Sequence, residues 1–503
     1  MYGRRTPLFW AARNGHEEVV KVLLERGDIN PNAEDEDGRT PLSGAVENGH
    51  EGVVRILAEQ SGVNLNTIDN MYGRTPLSLA AVNRHEGVVR ILLGRNDVNP
   101  NTSDEDGRTP PSSAAENGYE GVVRILLERS DVNPNIADEN GQTPLYLAAE
   151  NGYEGVVEIL LGRNDINPNT ADQNGRTPLS LAAENEYEGV VRILLERSDL
   201  NPNIADEFGQ TPLSLAAEDG YEGVVGILLG RNDVNPNTTN ENIRTPLSLA
   251  AEHGHEGIVG MMLERSDVNP DIADKYDRTP LSWAASNGHE GVVRMMLERN
   301  VDTERAGQNA QTPLELASLR GHEGVVRILL DWTDVNFNTV DKFGVIPLVG
   351  AARNGVEGLV RMMLERSDVN PDRADHSGRT PLSWAASNEH EGIVKMLLER
   401  NDINPNTADE DGRTPLSWAA GNGAEEIVGM LLERSDINLN ITDHNGQTAA
   451  VWAAQNGRDR IAELLRNRAD STPRYAASLQ PADTRSPEPS ESSEPPSKRI
   501  CRS

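Results

Sequence analysis

The chain has almost no cysteine and no long apolar run, and each absence excludes a class of protein. Cys501 is the only cysteine in 503 residues, so neither a disulfide framework nor a cysteine-based metal cluster is available, which fits a reducing compartment. No stretch is long and apolar enough to span a bilayer, and Met1 is followed by charged residues instead of a signal-peptide core. We therefore expect an intracellular protein without membrane insertion, in the cytoplasm rather than in the nucleus.

Basic residues are also scarce. Lys and Arg number 47 against 80 Asp and Glu, which gives a formal net charge of -33. Because nucleic-acid affinity comes largely from Lys and Arg that neutralise phosphates, this composition argues against DNA or RNA as the ligand. A partner with basic segments would instead be attracted to the chain.

The most prominent feature that is present is a period of about 34 residues, marked by a Thr-Pro-Leu-like triplet. A unit of this length cannot enclose a core of its own, so it must bury its apolar face against its neighbours. The period therefore predicts one elongated array over residues 1–470, followed by a Pro/Ser/Glu-rich tail over 471–503 that we expect to be disordered. The fourteen triplets begin at Thr6, Thr40, Thr75, Thr109, Thr143, Thr177, Thr211, Thr245, Thr279, Thr312, Ile346, Thr380, Thr414 and Thr448.

Each repeat reads as a turn followed by two helices, as residues 138–172 illustrate. Asn140-Gly141 favours a tight turn, and Thr143 followed by Pro144 is typical of a helix N-terminus. Gly152 would end the first helix in the left-handed conformation. Three repeats carry a larger residue at that glycine position, which should strain the turn by roughly 1 kcal/mol; they are Arg84, Glu186 and Glu389. The second helix would bury Val156, Val157, Leu160 and Leu161.

This succession of a turn, Thr-Pro-Leu, Ala-Ala, Gly-His or Gly-Tyr, Val-Val and Leu-Leu resembles the ankyrin repeat, over residues 2–470. The resemblance implies an all-α ankyrin-repeat solenoid of about 14 helix-turn-helix units with short hairpin turns. Asp-Val-Asn-Pro-Asn, as at 131–135, makes each unit one residue longer than usual and resembles the variant common in fungal ankyrin proteins. Nine repeats carry Ser where the family usually has a turn-bonded His, so we expect fewer hydrogen bonds there. Repeat ten has the spacing of a capping box, from Thr312 to Glu315.

No catalytic or metal motif stands out from the repeat background. Most histidines share one position at the start of the second helix, which also accepts Tyr, so the position is structural; the His-Glu pairs never extend to a zinc-protease motif. The acidic turns lack the ligand spacing of a calcium loop. We therefore expect no enzyme activity, no metal and no cofactor. Five tryptophans replace the core leucine of the first helix, as at Leu147, and are predicted to be core; they are Trp10, Trp283, Trp384, Trp418 and Trp452.

The two ends of the array differ. In the last repeat, Arg466 and Ala462 replace apolar residues of the second helix, with Arg458, Arg460 and Arg468 around them, as in a solvent-facing cap. The first repeat keeps an apolar face that would suit a neighbour, formed by Leu8, Trp10, Val19, Val20, Leu23 and Leu24. One hypothesis is that Met1 is internal to a longer protein. The alternative is a tolerated blunt end.

In ankyrin folds the partner usually binds the concave side, at the turn tips and the residues after Ala-Ala. Repeats two to eight carry an acidic column at that second position, and it would steer basic segments toward them. Arginines that precede the Thr run beside it, so the column could equally be a ladder of surface ion pairs of little stabilising value. The acidic column consists of Glu47, Glu116, Glu150, Glu184, Glu218 and Glu252.

Repeats nine to eleven replace these acidic residues with apolar and basic ones. Exposed aromatic residues with an arginine rim are typical of binding hot spots. The alternative is that repeats ten and eleven are merely degenerate. The predicted partner-binding residues are Lys275, Tyr276, Leu319, Arg320, Lys342, Phe343, Val345 and Arg353.

Two classes of function remain open at this stage. The first is a monomeric, non-catalytic scaffold that binds a protein partner on the concave surface of the solenoid. The second is a recognition or sensor arm of a larger signalling or enzymatic protein, whose effector domain would lie upstream of Met1. The genomic sequence upstream of Met1 would discriminate between them.

Overall fold

A computed structural model describes residues 5–332 and 340–471 of the chain. Within these ranges the regular structure is entirely helical, in 28 helices that form fourteen pairs. The predicted disordered tail, apart from Ser471, and the hypothesis about Met1 lie outside the described residues. None of the described helices combines the length and the apolarity needed to cross a membrane.

Each repeat contributes two helices separated by a short turn. The first helix begins at the Pro of the triplet in repeats one to thirteen and at Ala449 in repeat fourteen, whose triplet has no Pro. The first helices are α1 Pro7–Arg13, α3 Pro41–Glu47, α5 Pro76–Val82, α7 Pro110–Glu116, α9 Pro144–Glu150, α11 Pro178–Glu184, α13 Pro212–Asp219, α15 Pro246–His253, α17 Pro280–Asn287, α19 Pro313–Arg320, α21 Pro347–Asn354, α23 Pro381–Ser387, α25 Pro415–Asn422 and α27 Ala449–Gln455.

The second helices lie on the other side of the array. They are α2 Glu17–Leu24, α4 Glu51–Glu59, α6 Glu86–Leu93, α8 Glu120–Leu127, α10 Glu154–Leu161, α12 Glu188–Leu195, α14 Glu222–Leu229, α16 Glu256–Glu264, α18 Glu290–Leu297, α20 Glu323–Trp332, α22 Glu357–Leu364, α24 Glu391–Leu398, α26 Glu425–Glu433 and α28 Asp459–Ser471.

The sequence signals for helix ends are confirmed. In α9 the Thr143 hydroxyl accepts a hydrogen bond from the Tyr146 N–H, and Pro144 occupies the first turn, where its missing N–H costs nothing. The capping box of Thr312 and Glu315 is present. Thr40 with Ser43 and Thr177 with Ser180 form further capping boxes, which the sequence reading did not anticipate. In these repeats the serine hydroxyl is used within the helix cap.

The turns need left-handed backbone, and the three predicted exceptions to glycine adopt it. Arg84, Glu186 and Glu389 have φ values of 62°, 60° and 63°. The sequence reading missed three more such positions at the preceding turn, where Ile243, Asp277 and Ala310 have φ values of 59°, 59° and 55°. A side chain in this region is strained, most of all a β-branched one.

The core is continuous along the array because each helix packs on its counterparts in the neighbouring repeats. In repeat five, Ala148 and Ala149 of α9 and Val156, Val157 and Leu160 of α10 are all fully buried. The small alanines let the first helices approach closely. Burying each such Val or Leu contributes about 1.5–3 kcal/mol relative to exposure.

Hydrogen bonds between repeats supplement this core. The His255 Nε2 atom lies 2.9 Å from the Glu218 carbonyl oxygen of the preceding repeat, and other histidines of this column make the same contact. This confirms the structural reading of the histidine column. Asn135 donates from Nδ2 to the Asp165 carbonyl oxygen at 2.7 Å, and its Oδ1 accepts from the Asn167 N–H at 3.0 Å. The Asp-Val-Asn-Pro-Asn segment therefore joins consecutive repeats.

At the two ends of the array, the burial of the side chains agrees only in part with what the sequence suggests. At the first repeat, Leu8 and Val20 are fully buried and belong to the core, whereas Trp10 and Val19 are 39% and 49% exposed. At the last repeat, Ala462 is buried in α28. The arginines predicted to surround it are exposed, namely Arg458, Arg460, Arg466 and Arg468.

Candidate interaction surface

The predicted binding positions lie on one side of the array, which we call the turn-side surface. It consists of the turn tips, the residue before each Thr and the residues after Ala-Ala in the first helices. An Asp organises most turns, as Asp172 does by accepting from the backbone N–H groups of Asn174 and Arg176 through Oδ1. Asn240 takes this place in repeat eight and Gly307 in repeat ten. Successive tips are joined, because the Gln173 N–H donates to the Asn140 carbonyl oxygen at 3.0 Å. The surface is therefore a regular frame on which only side chains vary.

The acidic column is half-buried throughout and largely paired. Glu116 and Glu47 form ion pairs with the arginine of their own repeat, at 2.7 Å from Arg108 and 3.6 Å from Arg39. Glu252 pairs in the same way with Arg244. The alternative reading of the column, a ladder of ion pairs, thus describes these three members.

The remaining members of the column have no arginine within ion-pair distance in the described residues. Glu218 accepts a hydrogen bond from Gln210 Nε2 at 3.0 Å. Burial raises the pKa of Glu150 above its usual value, against the opposing effect of Arg176. Glu184 lies half-buried at the same position of α11. Negative charge free to act on a partner is therefore concentrated at repeats five to seven.

Two aromatic side chains project from the turn tips of repeats nine and eleven. Tyr276 is 44% and Phe343 is 56% exposed. The Lys275 and Lys342 ammonium groups lie 5.1 and 4.9 Å from the centres of these rings. Each tip therefore presents an apolar ring together with a cation. Lys275 also donates to the Asn242 side chain of the preceding tip.

The structure brings Tyr276 and Arg320 together in a cleft of about 320 Å³ between repeats nine and ten. Arg278, Gln311 and Leu316 also line this cleft. Its walls combine an aromatic ring, two guanidinium groups and an aliphatic side chain, which suits a mixed polar and apolar ligand group. Two of the predicted partner-binding residues, Tyr276 and Arg320, thus line the same cleft.

The other predicted residues are less available. Leu319 is half-buried and covers Gly350 of the next repeat, where an added Cβ would come within 2.8 Å of Leu319 Cδ2. Val345 is half-buried, and its backbone N–H donates to Asp341 Oδ1 at 2.9 Å. Arg353 is exposed and lies 4.6 Å from the Trp384 ring centre, on the side of the cleft toward repeat twelve.

The prediction that the tryptophans belong to the core is wrong. Leu147 is buried, but Trp283, Trp384, Trp418 and Trp452 are half-buried, and Trp10 is 39% exposed. A buried indole needs a partner for its N–H. Trp384, for example, donates from Nε1 to Asp375 Oδ2 at 2.9 Å, which holds the ring at the edge of the helix. The indoles of Trp418 and Trp452 make the same bond to the Asp of their turns.

These tryptophans alternate with arginines along repeats eleven to fourteen. Distances from guanidinium carbon to ring centre are 4.6 Å for Arg353 on Trp384, 3.6 Å for Arg379 on Trp384 and 4.2 Å for Arg379 on Trp418. Arg413 continues the series at 4.7 Å from Trp418 and 3.8 Å from Trp452. We call this set, Arg353, Trp384, Arg379, Trp418, Arg413 and Trp452, the Arg-Trp ladder.

Sequence reasoning missed the ladder, although its signal is present. An Arg stands five residues before each Trp in repeats twelve and thirteen, and no Glu follows Ala-Ala in repeats twelve to fourteen. It also missed Phe208, a third exposed turn-tip ring, at 59% exposure in repeat seven.

Comparison with known proteins identifies the repeat unit that the paired helices and turns form. The family model described as "Ankyrin repeats (3 copies)" matches overlapping windows along nearly the whole chain, while the curated proteins contain no match. Among solved structures, the ankyrin repeat domain of Bcl-3, described as a unique member of the IkappaB protein family, is 27% identical. That match covers 45% of this chain and 98% of the Bcl-3 domain, with a TM-score of 0.41. The windows are residues 2–69, 61–138, 94–172, 131–206, 154–240, 198–274, 225–306, 247–341, 314–409 and 401–474. With its paired helices, capped turns and continuous inter-repeat core, the chain belongs to the ankyrin repeat family.

Proposed function

We propose that this chain is a non-catalytic scaffold that binds a protein partner on its turn-side surface, the concave side of an ankyrin solenoid. Ankyrin repeats are in general protein-protein interaction modules, and here they extend over nearly the whole chain. The proposal involves no cofactor, metal, nucleic acid or membrane insertion, and it treats the scaffold as a monomer.

The centre of the proposed contact is at repeats nine to eleven. The observation that carries this assignment is the pair of exposed rings, Tyr276 and Phe343, two repeats apart on either side of the cleft that Arg320 lines. Aromatic residues and arginine dominate binding hot spots because they bury a large area and add directional contacts. A cation beside a ring adds about 0.5–1 kcal/mol at an exposed site.

The acidic column would act on the approach of the partner rather than on its final affinity. Glu150, Glu184 and Glu218 have no arginine within ion-pair distance in the described part of the chain, and the whole chain carries a net charge of -33. Such a field raises the association rate of a partner with basic segments and weakens as ionic strength rises. We therefore propose a partner that places an apolar or aromatic group in the cleft and a basic segment toward repeats five to seven.

The experiment is affinity purification of partners with the full chain and with a double variant, Tyr276→Asn with Phe343→Asn. Asn occupies the same turn-tip position in other repeats, as at Asn140 and Asn174, so the turn should fold normally. We expect the partners captured by the wild-type chain to be lost from the double variant.

The matched control is Phe208→Asn, which removes an equally exposed ring from the same turn position in repeat seven. We expect this variant to retain the partners, and both variants to unfold thermally at the wild-type temperature. Full retention of the partners by Tyr276→Asn with Phe343→Asn would contradict the assignment of repeats nine to eleven.

A further inference from the structure

The arginines before the Thr fall into two groups that differ in their carboxylate partners. Arg39, Arg74, Arg108, Arg176, Arg244 and Arg278 each lie within 4.0 Å of an Asp or Glu oxygen. Arg379 and Arg413 have no such ion pair among the described residues, and neither has Arg353. Arg379 donates instead from one Nη to the Ser383 carbonyl oxygen at 3.2 Å. The cations of the Arg-Trp ladder therefore have no carboxylate oxygen within ion-pair distance among the described residues.

Two substitutions explain this difference. The turn Asp, which pairs with arginine in several earlier repeats, accepts an indole N–H here, as Asp409 does from Trp418 Nε1 at 2.8 Å. In repeat nine, Asp274 makes both contacts, with Arg278 and with Trp283. The Glu that follows Ala-Ala in repeats two to eight is replaced by Ser387, Gly421 and Gln455. Repeats twelve and thirteen have thus each lost one negative charge and kept a guanidinium group. Arg379 is only 9% exposed.

A ligand for the ladder should carry carboxylates at the spacing of the repeats. Guanidinium groups stacked on indoles keep their N–H edges free for carboxylate oxygens. Neighbouring repeats lie about 10 Å apart, and three residues of an extended, proline-rich peptide cover about 9–10 Å. The matching pattern is an acidic residue at every third position of an extended segment.

This pattern occurs in the chain itself, in residues 486–496 of the C-terminal tail. Glu488, Glu491 and Glu494 are spaced by three, and prolines at four of the intervening and flanking positions favour extended backbone. The prolines are Pro487, Pro489, Pro495 and Pro496.

The tail can reach the ladder. Sixteen residues lie between Ser471, where α28 ends, and Glu488, and this stretch can extend over up to about 55 Å. The ladder starts in repeat fourteen itself and ends three repeats, or about 30 Å, away in repeat eleven. A tether of this kind supplies an effective concentration in the millimolar range, so even weak carboxylate contacts would keep the segment bound.

We propose that residues 486–496 bind the Arg-Trp ladder of the same chain, with Glu488 and Glu494 on the guanidinium groups of Arg353 and Arg413, two repeats apart, and Glu491 between them. Bound in this way, the tail occupies the turn-side surface of repeats eleven to fourteen. A partner that contacts these repeats must displace it.

The test uses the full chain, with a nitroxide spin label on Cys501, its only cysteine, and fluorotryptophan at its six tryptophans. Substitution of single tryptophans assigns the six fluorine signals. We expect the label to broaden the signals of Trp384, Trp418 and Trp452 and to leave that of Trp10 sharp. Reduction of the label restores all signals and provides the diamagnetic reference. About 1 M NaCl should abolish the broadening, because it screens exposed charges to within a few ångströms.

Two variants test the contacts. Glu488→Gln with Glu491→Gln and Glu494→Gln should abolish the broadening, and so should Arg353→Ser with Arg413→Gln. Ser and Gln are residues that other repeats carry at these positions, as at Ser286 and Gln447, so the repeats should remain folded. The matched control is Arg108→Gln, which removes an arginine from the same column in repeat four and should change nothing.

Several results would overturn the proposal. One is equal broadening, or none, at all six tryptophans. Another is broadening that survives removal of the three glutamates. A third is broadening that disappears on dilution, since the ligand would then be the tail of a second copy. None of these results bears on the contact proposed at repeats nine to eleven.

Discussion

Repeats eight and thirteen have the same backbone but place their arginine in different surroundings. In repeat eight, Arg244 is paired with Glu252 and stacks on Trp283 of the next repeat. In repeat thirteen, Arg413 lies between the Trp418 and Trp452 rings, and no carboxylate oxygen of the described residues lies within ion-pair distance of it. Loss of a single Glu and gain of a single Trp thus convert an ion-paired surface into a ladder of unpaired cations.

The comparison separates what specifies the fold from what specifies recognition. Thr-Pro, Ala-Ala and the buried valines and leucines occur in both regions and build the same helix pairs. Among the residues that differ are Glu252 against Gly421, directly after Ala-Ala, and Leu249 against Trp418, directly before it. Leu249 is buried, whereas Trp418 is half-buried. Function in a repeat array resides in these few positions rather than in the fold.

The largest effect is expected from Trp418, at the centre of the Arg-Trp ladder. Trp418→Ala should lower the free energy of unfolding by about 2–3 kcal/mol, since it removes contacts with two arginines and a hydrogen bond to Asp409. Leu215→Ala, at the same half-buried position in repeat seven, should cost only about 1–2 kcal/mol. Urea unfolding followed by circular dichroism measures both. Equal losses would mean that the ladder adds nothing to the packing.

A smaller effect is expected from Tyr146. Its hydroxyl donates a hydrogen bond to the turn Asp172, as the Trp418 indole N–H does to Asp409. Tyr146 is fully buried, and its hydroxyl lies 2.8 Å from Asp172 Oδ2. Tyr146→Phe should cost about 1.5 kcal/mol near pH 7, a typical value for a hydrogen bond to a charged group.

The pH dependence of this loss gives a second readout. Burial by itself raises the pKa of Asp172, but hydrogen bonds from Tyr146 and Arg176 outweigh it, and the pKa lies below its usual value of 3.8. The stabilisation is therefore fully present above that value and disappears as the pH falls through the lower pKa of the folded state. Urea midpoints of wild type and Tyr146→Phe should converge in acid. A constant difference at every pH would contradict this account.

The ion-paired region should show a modest, salt-sensitive coupling. A double-mutant cycle of Arg244→Gln and Glu252→Gln should give a coupling energy of about 0.5–1 kcal/mol at low salt and less at high salt. In a chain that carries Glu488→Gln, Glu491→Gln and Glu494→Gln, Arg413→Gln should change the free energy of unfolding with little dependence on salt, because its remaining contacts are with rings. Similar salt dependence for Arg244→Gln and Arg413→Gln would remove the distinction between the two regions.

The smallest effect is expected from the turn backbone, which should behave alike in both regions. Ile243→Gly should raise the free energy of unfolding by about 0.5–1 kcal/mol, because it relieves a β-branched residue at φ 59°. Gly209→Ala is the reverse test at the same turn position, where φ is 77° and a Cβ would lie 2.9 Å from Asn240 Cα. Thermal denaturation should show a higher unfolding temperature for Ile243→Gly and a lower one for Gly209→Ala. Destabilisation by Ile243→Gly would contradict the claim that the backbone at Ile243 is strained.

The repeat period, the caps and the buried columns could be predicted from sequence, because each follows from local spacing: Thr143-Pro144 marks a helix start wherever it occurs. The Arg-Trp ladder could not be predicted in the same way. One of its contacts joins Arg379 to Trp418, across the boundary between two repeats. The ring is held there by a hydrogen bond from its indole N–H to the turn Asp409. The half-burial of Leu319 likewise depends on Gly350 in the next repeat.

The most direct test of the proposed function is hydrogen exchange of the full chain, alone and with a partner captured by affinity purification. We predict slower exchange on binding at the turn tips and first helices of repeats nine to eleven, in residues 275–278, 316–320 and 342–345. Protection confined to the second helices α18, α20 and α22 would contradict the claim that the partner binds the turn-side surface.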